Sequence, residues 1–438
     1  MQNKNLLIKN GYLANSKEIS KKDIFISNGK ISEIGDLSHI KSDHVIDASN
    51  QYVVPGIIDP QVHFRDPGLT HKEDLHTGSM AAASGGVTTF FEMPNTDPAT
   101  TTIEKLDQKY DVANSKSLVN YSFFLGATSN NIDEIKNLKN NCGLKIFMGS
   151  STGNLLVDDD ESLDKIFASC NRVIAVHAED EEILKESAKL IKGTDFTNHI
   201  KARPVEAALK ATTKATKLAL KYNRRLHVLH LSTAEEVKFI RKHKSTNLIT
   251  CETTPQHLLM DAPNIYNEIG SFAQMNPPIR EKYHQEELWK GLLDGTIDCI
   301  ATDHAPHTLE EKSLPYGQAP SGMPGVETSL TLMLNEVSKG RIKLEKIVQL
   351  MSENPASIYK MKNKGFIKLG YDADITIVDM QKEKTISNDF MKTKCGWTAF
   401  DGVKTKGWTQ YTIVNGNIVY NDGELDLEHR GKKVEFKY

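Results

Sequence analysis

The chain has 438 residues, and 54 Lys and Arg against 57 Asp and Glu give a formal net charge of −3 with His neutral. This balance gives no basis for a nucleic-acid partner, which would show as clustered excess basic residues. The 39% hydrophobic and 25% charged residues are typical of a folded protein and exclude a disordered one. At ~150 residues per domain, the length alone allows about three domains.

Nothing in the sequence predicts a membrane segment or export. No apolar run approaches the ~20 residues that a transmembrane helix needs. Lys9 and Asn10 interrupt the start of the chain where the apolar region of a signal peptide would continue. The cysteines are odd in number, far apart and without a C-x-x-C pair: Cys142, Cys170, Cys251, Cys299 and Cys395. We therefore expect reduced cysteines, a cytoplasmic location and no membrane partner.

The two ends of the chain carry the pattern of β-strands. Leu6-Leu7-Ile8 leads to Asn10-Gly11, and Ile24-Phe25-Ile26 leads to Asn28-Gly29, and Asn-Gly is a strong hairpin signal. Near the other end, residues 374–379 and 411–420 alternate in the same way. We expect residues 1–54 and 360–438 to form one small β-sandwich domain together.

The middle of the chain alternates short β-branched or aromatic runs with helix-compatible stretches. The eight candidate strands are Gly56–Phe64, Val87–Met93, Val119–Gly126, Leu144–Met148, Arg172–His177, Leu226–Leu231, Asn247–Cys251 and Ile297–Ala301. Helices are expected at Glu73–Ser84, Glu161–Ser169, Val205–Tyr222 and Ala234–Lys242. This alternation predicts an α/β fold, a TIM-type (β/α)8 barrel over residues 55–359, with the β-sandwich beside it.

Polar side chains stand at or near the ends of several candidate strands, where such barrels carry their active sites. They are His63, Arg65, Asn95, Lys145, His177, His230 and Asp303. Any one histidine is more often structural, but imidazoles and a carboxylate from separate strand ends can converge on one metal ion. The sequence therefore predicts a metal centre at the carboxyl ends of the strands. We interpret His227, His257 and His304 as structural or supporting residues.

Three segments make a more specific interpretation possible. They are His63-Phe64-Arg65-Asp66-Pro67-Gly68, Met93-Pro94-Asn95-Thr96, and Thr302-Asp303-His304-Ala305-Pro306-His307 followed by Lys312. Each resembles a segment of the amidohydrolase superfamily and, within it, of the dihydroorotases. The resemblance extends over nearly the whole chain. It implies reversible, metal-dependent hydrolysis of the cyclic amide of (S)-dihydroorotate to N-carbamoyl-L-aspartate, in pyrimidine biosynthesis.

The resemblance also implies a role for each site residue. The ligands of one or two Zn²⁺ ions per chain would be His63, Lys145, His177, His230 and Asp303. Asp303 would in addition move the proton during catalysis. The carboxylate of the small anionic substrate would bind Arg65, Asn95 and His307, and its ring would bind Asn276 and the backbone of Ser321 and Gly322. A homodimer is expected from the resemblance alone.

Lys145 lies between apolar residues of a candidate strand, where an unpaired ammonium group is costly. It could reach solvent or an ion pair at the end of the strand. In the family, a related lysine is carboxylated by CO2 and becomes an anionic ligand that bridges two metals. This interpretation removes the cost of burying a cation.

Gln61 departs from the family, which usually has a His-x-His pair where this chain has Gln61-Val62-His63. One consequence is a modified or single-metal centre that still works. The alternative is a non-catalytic dihydroorotase-like subunit of an aspartate transcarbamoylase complex. The remaining ligand set favours an active enzyme.

Other cyclic amidases are the nearest alternatives in function. Hydantoinase, dihydropyrimidinase and allantoinase share the metal chemistry, but their substrates need not carry the carboxylate that Arg65 would bind. Arg65 therefore favours dihydroorotate as the substrate.

Overall fold

The computed structural model describes residues 5–150 and 155–438. Residues 1–4, which belong to the start of the chain considered above as a signal peptide, lie outside the described residues. Seven short strands come first in the chain. They are β1 (Leu6–Lys9), β2 (Tyr12–Ala14), β3 (Ile19–Lys21), β4 (Asp23–Ser27), β5 (Lys30–Gly35), β6 (His44–Asp47) and β7 (Tyr52–Pro55). Asn28-Gly29 joins β4 and β5 as the hairpin that the sequence predicts.

The middle of the chain forms an eight-stranded parallel sheet with its strands in chain order. The strands are β8 (Ile57–Val62), β9 (Val87–Glu92), β10 (Asn120–Gly126), β11 (Gly143–Phe147), β12 (Ile174–His177), β13 (Leu226–Val228), β14 (Ile249–Thr253) and β15 (Cys299–Ile300). They lie within about two residues of the predicted runs, apart from a short β13 and β15, and their residues are almost all buried. Both faces of a parallel barrel sheet are covered, which explains their nearly continuous hydrophobic character.

Helices follow the barrel strands and cover the outside of the sheet. They are α1 (Leu75–Ser84), α2 (Ile103–Lys116), α3 (Ile132–Asn137), α4 (Asp160–Ser169), α5 (Glu181–Ala188), α6 (Asn198–Ala202), α7 (Val205–Lys221), α8 (Ala234–Arg241), α9 (Pro255–Leu259), α10 (Asn264–Ile269), α11 (Lys282–Asp294), α12 (Leu309–Lys312), α13 (Ser329–Ser338), α14 (Leu344–Val348) and α15 (Asn354–Ile358). The four helices expected from the sequence are α1, α4, α7 and α8. Several helices begin at a residue whose side chain caps the first turn. The side chains of Asp74 and Thr233 accept hydrogen bonds from backbone N–H groups in the first turns of α1 and α8.

The barrel closes between its first and last strands through residues just beyond β15. Val62 and His304 form a parallel bridge, and the amide of His63 donates to the carbonyl of His304 at 2.7 Å. The buried carboxylate of Asp59 in β8 accepts from both the hydroxyl and the amide of Thr302, at 2.6 and 3.2 Å. These contacts hold the segment that carries Asp303 against the end of β8.

The last strands are β16 (Ile375–Thr385), β17 (Lys404–Val414), β18 (Asn417–Asn421) and β19 (Glu424–Leu425). They join β7, β2 and β3 in a seven-stranded sheet, while β5, β4, β1 and β6 form a four-stranded sheet. Ile8 and Ile24 of the smaller sheet share a hydrophobic cluster with Val53, Ile375 and Ile413 of the larger one. The fold class is therefore the predicted one, a (β/α)8 barrel with a β-sandwich from both ends of the chain.

Asn10-Gly11 is not a hairpin, because β1 and β2 lie in different sheets. The chain crosses from one sheet to the other at this dipeptide. A Cβ atom on Gly11 would lie 2.6 Å from the side chain of Val53, so the tight crossing requires glycine. The division into residues 1–54 with 360–438 and residues 55–359 stays a prediction. Within the described ranges, no helix combines the length and apolar character needed to cross a membrane.

Candidate active site

The carboxyl ends of the barrel strands surround a small cavity with about 340 Å³ of empty space. All the residues that the sequence predicts for the site line it except His307: Gln61, His63, Arg65, Asn95, Lys145, His177, His230, Asn276, Asp303, Ser321 and Gly322. His307 is buried behind them and contacts Arg65. The fold thus brings together residues that are up to 261 positions apart, from Gln61 to Gly322.

Three of the lining residues have left-handed backbone conformations. The φ angles are 64° for Arg65, 36° for His230 and 48° for Asp303. Non-glycine residues seldom adopt this conformation, which costs about 1–2 kcal/mol per residue. Each of the three lies at or just beyond the end of a barrel strand. The surrounding structure therefore holds these side chains in place against a local backbone preference.

Two side-chain nitrogens lie close to one oxygen of Asp303. The side-chain amide of Gln61 donates to Oδ1 at 3.0 Å, and Nε2 of His63 lies 3.1 Å from the same oxygen. Burial acts to raise the pKa of Asp303, but the contact with His63, with His230 and Lys145 nearby, holds it below its usual value. Burial lowers the pKa of His63 to about 4. On the other side of the ring, Nδ1 of His63 lies 2.7 Å from the side-chain oxygen of Asn95. The single N–H of a neutral His63 can therefore donate to Asn95 or to Asp303, but not to both.

His177 and His230 form the other half of the site. Nδ1 of His177 lies 3.1 Å from Nε2 of His230, and the two rings meet edge to face. Burial lowers the pKa of both imidazoles, so both are neutral and can offer a lone pair. On its far side, Nε2 of His177 lies 3.0 Å from Glu179, which is paired with Arg203.

Lys145 projects from β11 into the same cavity and is 1% exposed. Its Nζ lies 4.5 Å from the centroid of the Phe147 ring. Within the described part of the chain it has no hydrogen-bond or ion-pair partner. Burial lowers the pKa of Lys145 to about 7, so much of it is an uncharged amine at neutral pH. The expected alternatives for this residue, solvent or a direct ion pair, are therefore not seen.

Arg65 also lines the cavity, with only 1% of the residue exposed. Its Nε donates to the carbonyl of Pro306, and Nη2 lies 3.3 Å from Nε2 of His307. Nη1 is buried and has no hydrogen-bond partner in the described chain. An unpaired buried donor is costly, and a carboxylate is the group that best satisfies a guanidinium edge.

Two further elements shape the cavity rim. Lys312 at the end of α12 donates to the carbonyls of Gln274, Pro320 and Gly322, at 3.3, 2.9 and 3.0 Å. It thereby fixes the backbone beside Ser321. Asn276 is held from another direction, because its side-chain Oδ1 lies 3.0 Å from Nε2 of His199.

The donor set decides whether a metal ion fits this cavity. Residues 5–150 and 155–438 contain no group of three or more His, Cys, Asp and Glu side chains placed to hold a metal. Each half of the site has two such side chains and a third of another type. His177 and His230 stand with Lys145, and His63 and Asp303 stand with Gln61. Carboxylation of Lys145 would supply a third, oxygen ligand beside His177 and His230, and the first half would then fit a metal ion.

Sequence reasoning missed several supporting residues. Phe147 covers Lys145, and the Glu179–Arg203 pair stands behind His177. Glu179 follows His177 by two positions, which is the one sequence signal that could have indicated it. Arg203 is 24 residues further on and precedes α7, so only the folded chain shows its contact.

Comparison with known proteins agrees with this geometry. The sequence profile of the amidohydrolase family matches residues 52–419. The chain belongs to the amidohydrolase family. This amidohydrolase is 38% identical to a dihydroorotase of Methanosarcina acetivorans over 98% of its own length and 96% of the relative's. It is equally similar, at 38%, to a dihydroorotase of Methanosarcina mazei, with 98% and 97% covered. The resemblance drawn from the three motif segments is thus confirmed.

A solved structure of an enzyme named for another substrate has the same fold. The L-hydantoinase (dihydropyrimidinase) from Arthrobacter aurescens superposes with a TM-score of 0.95 at 32% identity, covering 98% of this amidohydrolase and 99% of that chain. The fold is therefore shared between dihydroorotases and hydantoinases. Only the residues of the cavity can separate the two kinds of substrate.

Proposed function

We propose that this amidohydrolase is a dihydroorotase, which reversibly hydrolyses the cyclic amide of (S)-dihydroorotate to N-carbamoyl-L-aspartate in pyrimidine biosynthesis. The observation that carries the proposal is the buried guanidinium of Arg65, with Nη1 unpaired, in the cavity that holds Asp303. Dihydroorotate carries a carboxylate beside its cyclic amide, and hydantoin and allantoin lack one. The similarity to two dihydroorotases over nearly the full length supports the same substrate.

The metal chemistry of the family requires Lys145 to act as a ligand. In this proposal, the neutral amine of Lys145 attacks the carbon of CO2 and forms an N–C bond. The electron pair of one C–O π bond moves onto its oxygen, an N–H proton leaves to solvent, and the product is a carbamate anion. The residues that would hold Zn²⁺ are this carbamate, His177, His230, His63 and Asp303, which line one cavity. When bound, the metal lowers the pKa of water toward ~7 and polarises the amide carbonyl.

The protein's own groups would perform the remaining steps. Asp303 accepts the proton of the attacking water and passes it to the ring nitrogen as the amide bond breaks. Arg65, Asn95 and His307 hold the substrate carboxylate, which fixes the ring relative to Asp303. Asn276 and the backbone of Ser321 and Gly322 hold the ring itself. In the reverse direction the same groups would close N-carbamoyl-L-aspartate to the ring.

A direct comparison of substrates tests the proposal. We expect purified protein, supplied with Zn²⁺ and bicarbonate, to turn over dihydroorotate with kcat/KM at least about 100-fold higher than for hydantoin or allantoin, because each charged hydrogen-bonded contact gives about 1.5–3 kcal/mol. A preference for hydantoin would favour the function of the Arthrobacter aurescens relative. Absence of turnover on all three, with zinc well below one per chain, would favour the non-catalytic subunit that Gln61 leaves open.

We further propose a cytoplasmic homodimer whose barrel comprises residues 55–359 and whose β-sandwich comprises residues 1–54 and 360–438. All five cysteines are free and buried, as a reducing compartment allows. The partner in binding is the small anionic substrate, and the proposal includes no nucleic acid and no membrane. Size-exclusion chromatography with light scattering tests the dimer.

A further inference from the structure

His199 is a buried histidine that the proposed reaction does not use. It lies in α6 and is 4% exposed. Its ring packs edge to face against the rings of Tyr266 and Tyr316, with centroids 6.3 and 5.8 Å away. These two aromatic rings hold the imidazole in one orientation. The partners of its two nitrogens therefore show what His199 does beside the cavity.

The Nε2 atom of His199 lies close to two oxygens. The main-chain carbonyl of Met275 is 2.8 Å away, and Oδ1 of Asn276 is 3.0 Å away. Because a main-chain carbonyl can only accept, Nε2 is the nitrogen that carries a proton. Burial lowers the pKa of His199 to about 4, so the ring is neutral and its Nδ1 has a lone pair. The hydroxyl of Tyr316, 3.5 Å from Nδ1, can donate to that lone pair.

The N–H of His199 determines which way the side-chain amide of Asn276 faces. An NH2 group at the position of Oδ1 would bring two donors against each other, so the oxygen faces His199 and the NH2 group faces away from it. Asn276 lines the cavity that contains Asp303, and none of the described residues accepts a hydrogen bond from its Nδ2. The NH2 group is therefore available to a molecule bound in the cavity.

The direction of this amide matters for a cyclic amide substrate. The ring of such a substrate offers both carbonyl oxygens and N–H groups to its binding site. An NH2 group at Asn276 matches a ring carbonyl and opposes a ring N–H. With the amide turned over, the same residue would present an acceptor and match the opposite group. The contact with His199 thus decides which kind of ring edge Asn276 can bind.

We propose that His199 is a positioning residue, which holds the NH2 group of Asn276 toward the cavity and thereby selects substrates that present a ring carbonyl at that place. This role rests on the proposed function, in which Asn276 binds the ring of dihydroorotate, and it specifies the group that the ring must offer. His199 does not touch the substrate and acts only through Asn276.

Neutron diffraction from crystals of the wild type exchanged into D2O tests both orientations and requires no turnover. We expect a deuteron on Nε2 of His199, none on Nδ1, and the ND2 group of Asn276 on the side away from His199. A deuteron on Nδ1 in place of Nε2, or an ND2 group directed at His199, would overturn the proposal.

His199→Gln and His199→Met separate the N–H donor from the bulk of the ring. The two replacements have similar size, but only glutamine can place an N–H where Nε2 of His199 stands. We expect KM for dihydroorotate to stay within about threefold of the wild type in His199→Gln and to rise about tenfold in His199→Met. In both variants kcat should change less than about threefold, because the ring contact is made equally before and during the reaction. Equal KM values in the two variants would contradict the positioning role.

His243→Met is the matched control for these substitutions. His243 also contacts a main-chain carbonyl, with Nδ1 3.0 Å from the oxygen of Phe239. It lies between α8 and β14, at the end of the barrel opposite the cavity. This variant should therefore retain the KM and kcat of the wild type.

A double-mutant cycle shows whether His199 acts through Asn276. Asn276→Ala removes the amide that His199 would orient. We therefore expect KM of the double variant His199→Met/Asn276→Ala to stay within about threefold of KM in Asn276→Ala alone. Independent contributions would multiply instead, and a further rise of about tenfold in the double variant would overturn the proposal.

The outcomes also separate the role of His199 from the proposed function. The expected deuteron positions without turnover of dihydroorotate would retain the orientation of Asn276 and reject the dihydroorotase function. Turnover of dihydroorotate with equal KM values in His199→Gln and His199→Met would retain the function and reject the role of His199.

Discussion

Asp303 combines a left-handed backbone with a carboxylate oxygen that accepts from the amide of Gln61 at 3.0 Å and lies 3.1 Å from Nε2 of His63. Burial would otherwise favour the protonated acid, and the contact with His63 opposes this by stabilising the carboxylate. The side chain is therefore an ionised base held in one orientation before any substrate binds. Such preorganisation is what a proton-transfer group needs.

Asp303→Asn is the simplest test at the residue scale. The amide keeps the shape of the side chain and can still accept from Gln61, but it cannot take up a proton. We expect kcat on dihydroorotate to fall by about 10³-fold, within the range that general acid–base groups contribute. Steady-state kinetics and a thermal unfolding curve measure the two effects, and the unfolding midpoint should change little.

Asp298→Asn is the matched control for this substitution. Asp298 lies just before β15, at the opposite end of the strand, where it pairs with Lys244. This variant should retain wild-type kinetics. Activity near the wild-type level in Asp303→Asn would remove Asp303 from the proposed role.

Arg65→Lys tests the substrate carboxylate. Lysine keeps the positive charge but lacks the planar pair of N–H donors of a guanidinium group. Its side chain is also shorter, so its ammonium group does not reach the position of Nη1. We expect KM for dihydroorotate to rise about 100-fold, equivalent to about 2.7 kcal/mol of lost binding. Binding of dihydrouracil, the same ring without the carboxylate, should change less than about threefold when measured by calorimetry. Equal losses for both rings would show that Arg65 supports the site without binding the carboxylate.

The sequence predicted which residues line the cavity better than it predicted their contacts. His63, Arg65 and Asp303 stand in recognisable segments, and the rule that strand ends share one edge of a barrel brings them together. The hydrogen bond from Gln61 to Asp303 spans 242 positions and depends on side-chain rotation, which no spacing rule contains. The sequence also could not predict the left-handed backbone of Arg65, because arginine has no preference for that conformation.

At the scale of elements, strands β8 and β15 and helix α12 determine the shape of the cavity. Asp59 of β8 fixes Thr302, and Lys312 of α12 gathers three backbone carbonyls from two other segments. A strand pattern in the sequence predicts where β8 and β15 run. It does not show that a buried lysine at the end of a four-residue helix organises the rim.

Lys312→Met should therefore weaken both the fold and substrate binding. Methionine fills similar volume but leaves the carbonyls of Gln274, Pro320 and Gly322 without their donor. We expect the free energy of unfolding to fall by about 2 kcal/mol, since unsatisfied buried groups cost about 1–3 kcal/mol each and removal of a buried charge offsets part of this. KM for dihydroorotate should rise about tenfold, because looser backbone at Gly322 orders the ring less well.

Urea unfolding and steady-state kinetics measure these effects. Lys290→Met provides the matched control, because Lys290 is exposed on α11 and pairs there with Glu287. Exposed pairs of this kind contribute about 0–1 kcal/mol, so both parameters should stay close to the wild type. A Lys312→Met protein as stable as the control would mean that the three carbonyls find other donors.

At the scale of the whole molecule, the last eight residues connect the far end of the chain to the barrel. The amide of Val434 donates to Tyr121 at 3.0 Å, and the carbonyl of Lys432 accepts from Tyr121 at 3.1 Å. The hydroxyl of Tyr438 donates to the carbonyl of Cys142 at 3.3 Å. Tyr121 and Cys142 lie near the starts of β10 and β11, so residues 431–438 cover the amino-terminal end of the barrel, opposite the active site.

The side chains of this segment fill the end of the barrel. Val434 is 1% exposed and belongs to a hydrophobic cluster with Phe91, Phe124 and Tyr359. Phe436 packs against the same cluster. The sequence predicted the barrel but not that this segment covers its end. Polar and apolar residues alternate in Lys432–Tyr438 as they do in an exposed strand, and the surface that the segment packs against exists only after the barrel closes.

Deletion of residues 431–438 should separate stability from catalysis. Loss of two largely apolar anchors at about 1.5–3 kcal/mol each predicts a fall of at least about 3 kcal/mol in the free energy of unfolding. Because Asp303 lies at the other end of the barrel, kcat per folded molecule should stay within about twofold of the wild type.

Val434→Ala makes a smaller change in the same segment and provides the test if the deletion variant does not fold. We expect its free energy of unfolding to fall by about 2 kcal/mol. Lys437→Ala removes an exposed side chain from the same segment and should leave stability unchanged. A parallel loss of kcat in Val434→Ala at full folding would show that the two ends of the barrel are coupled.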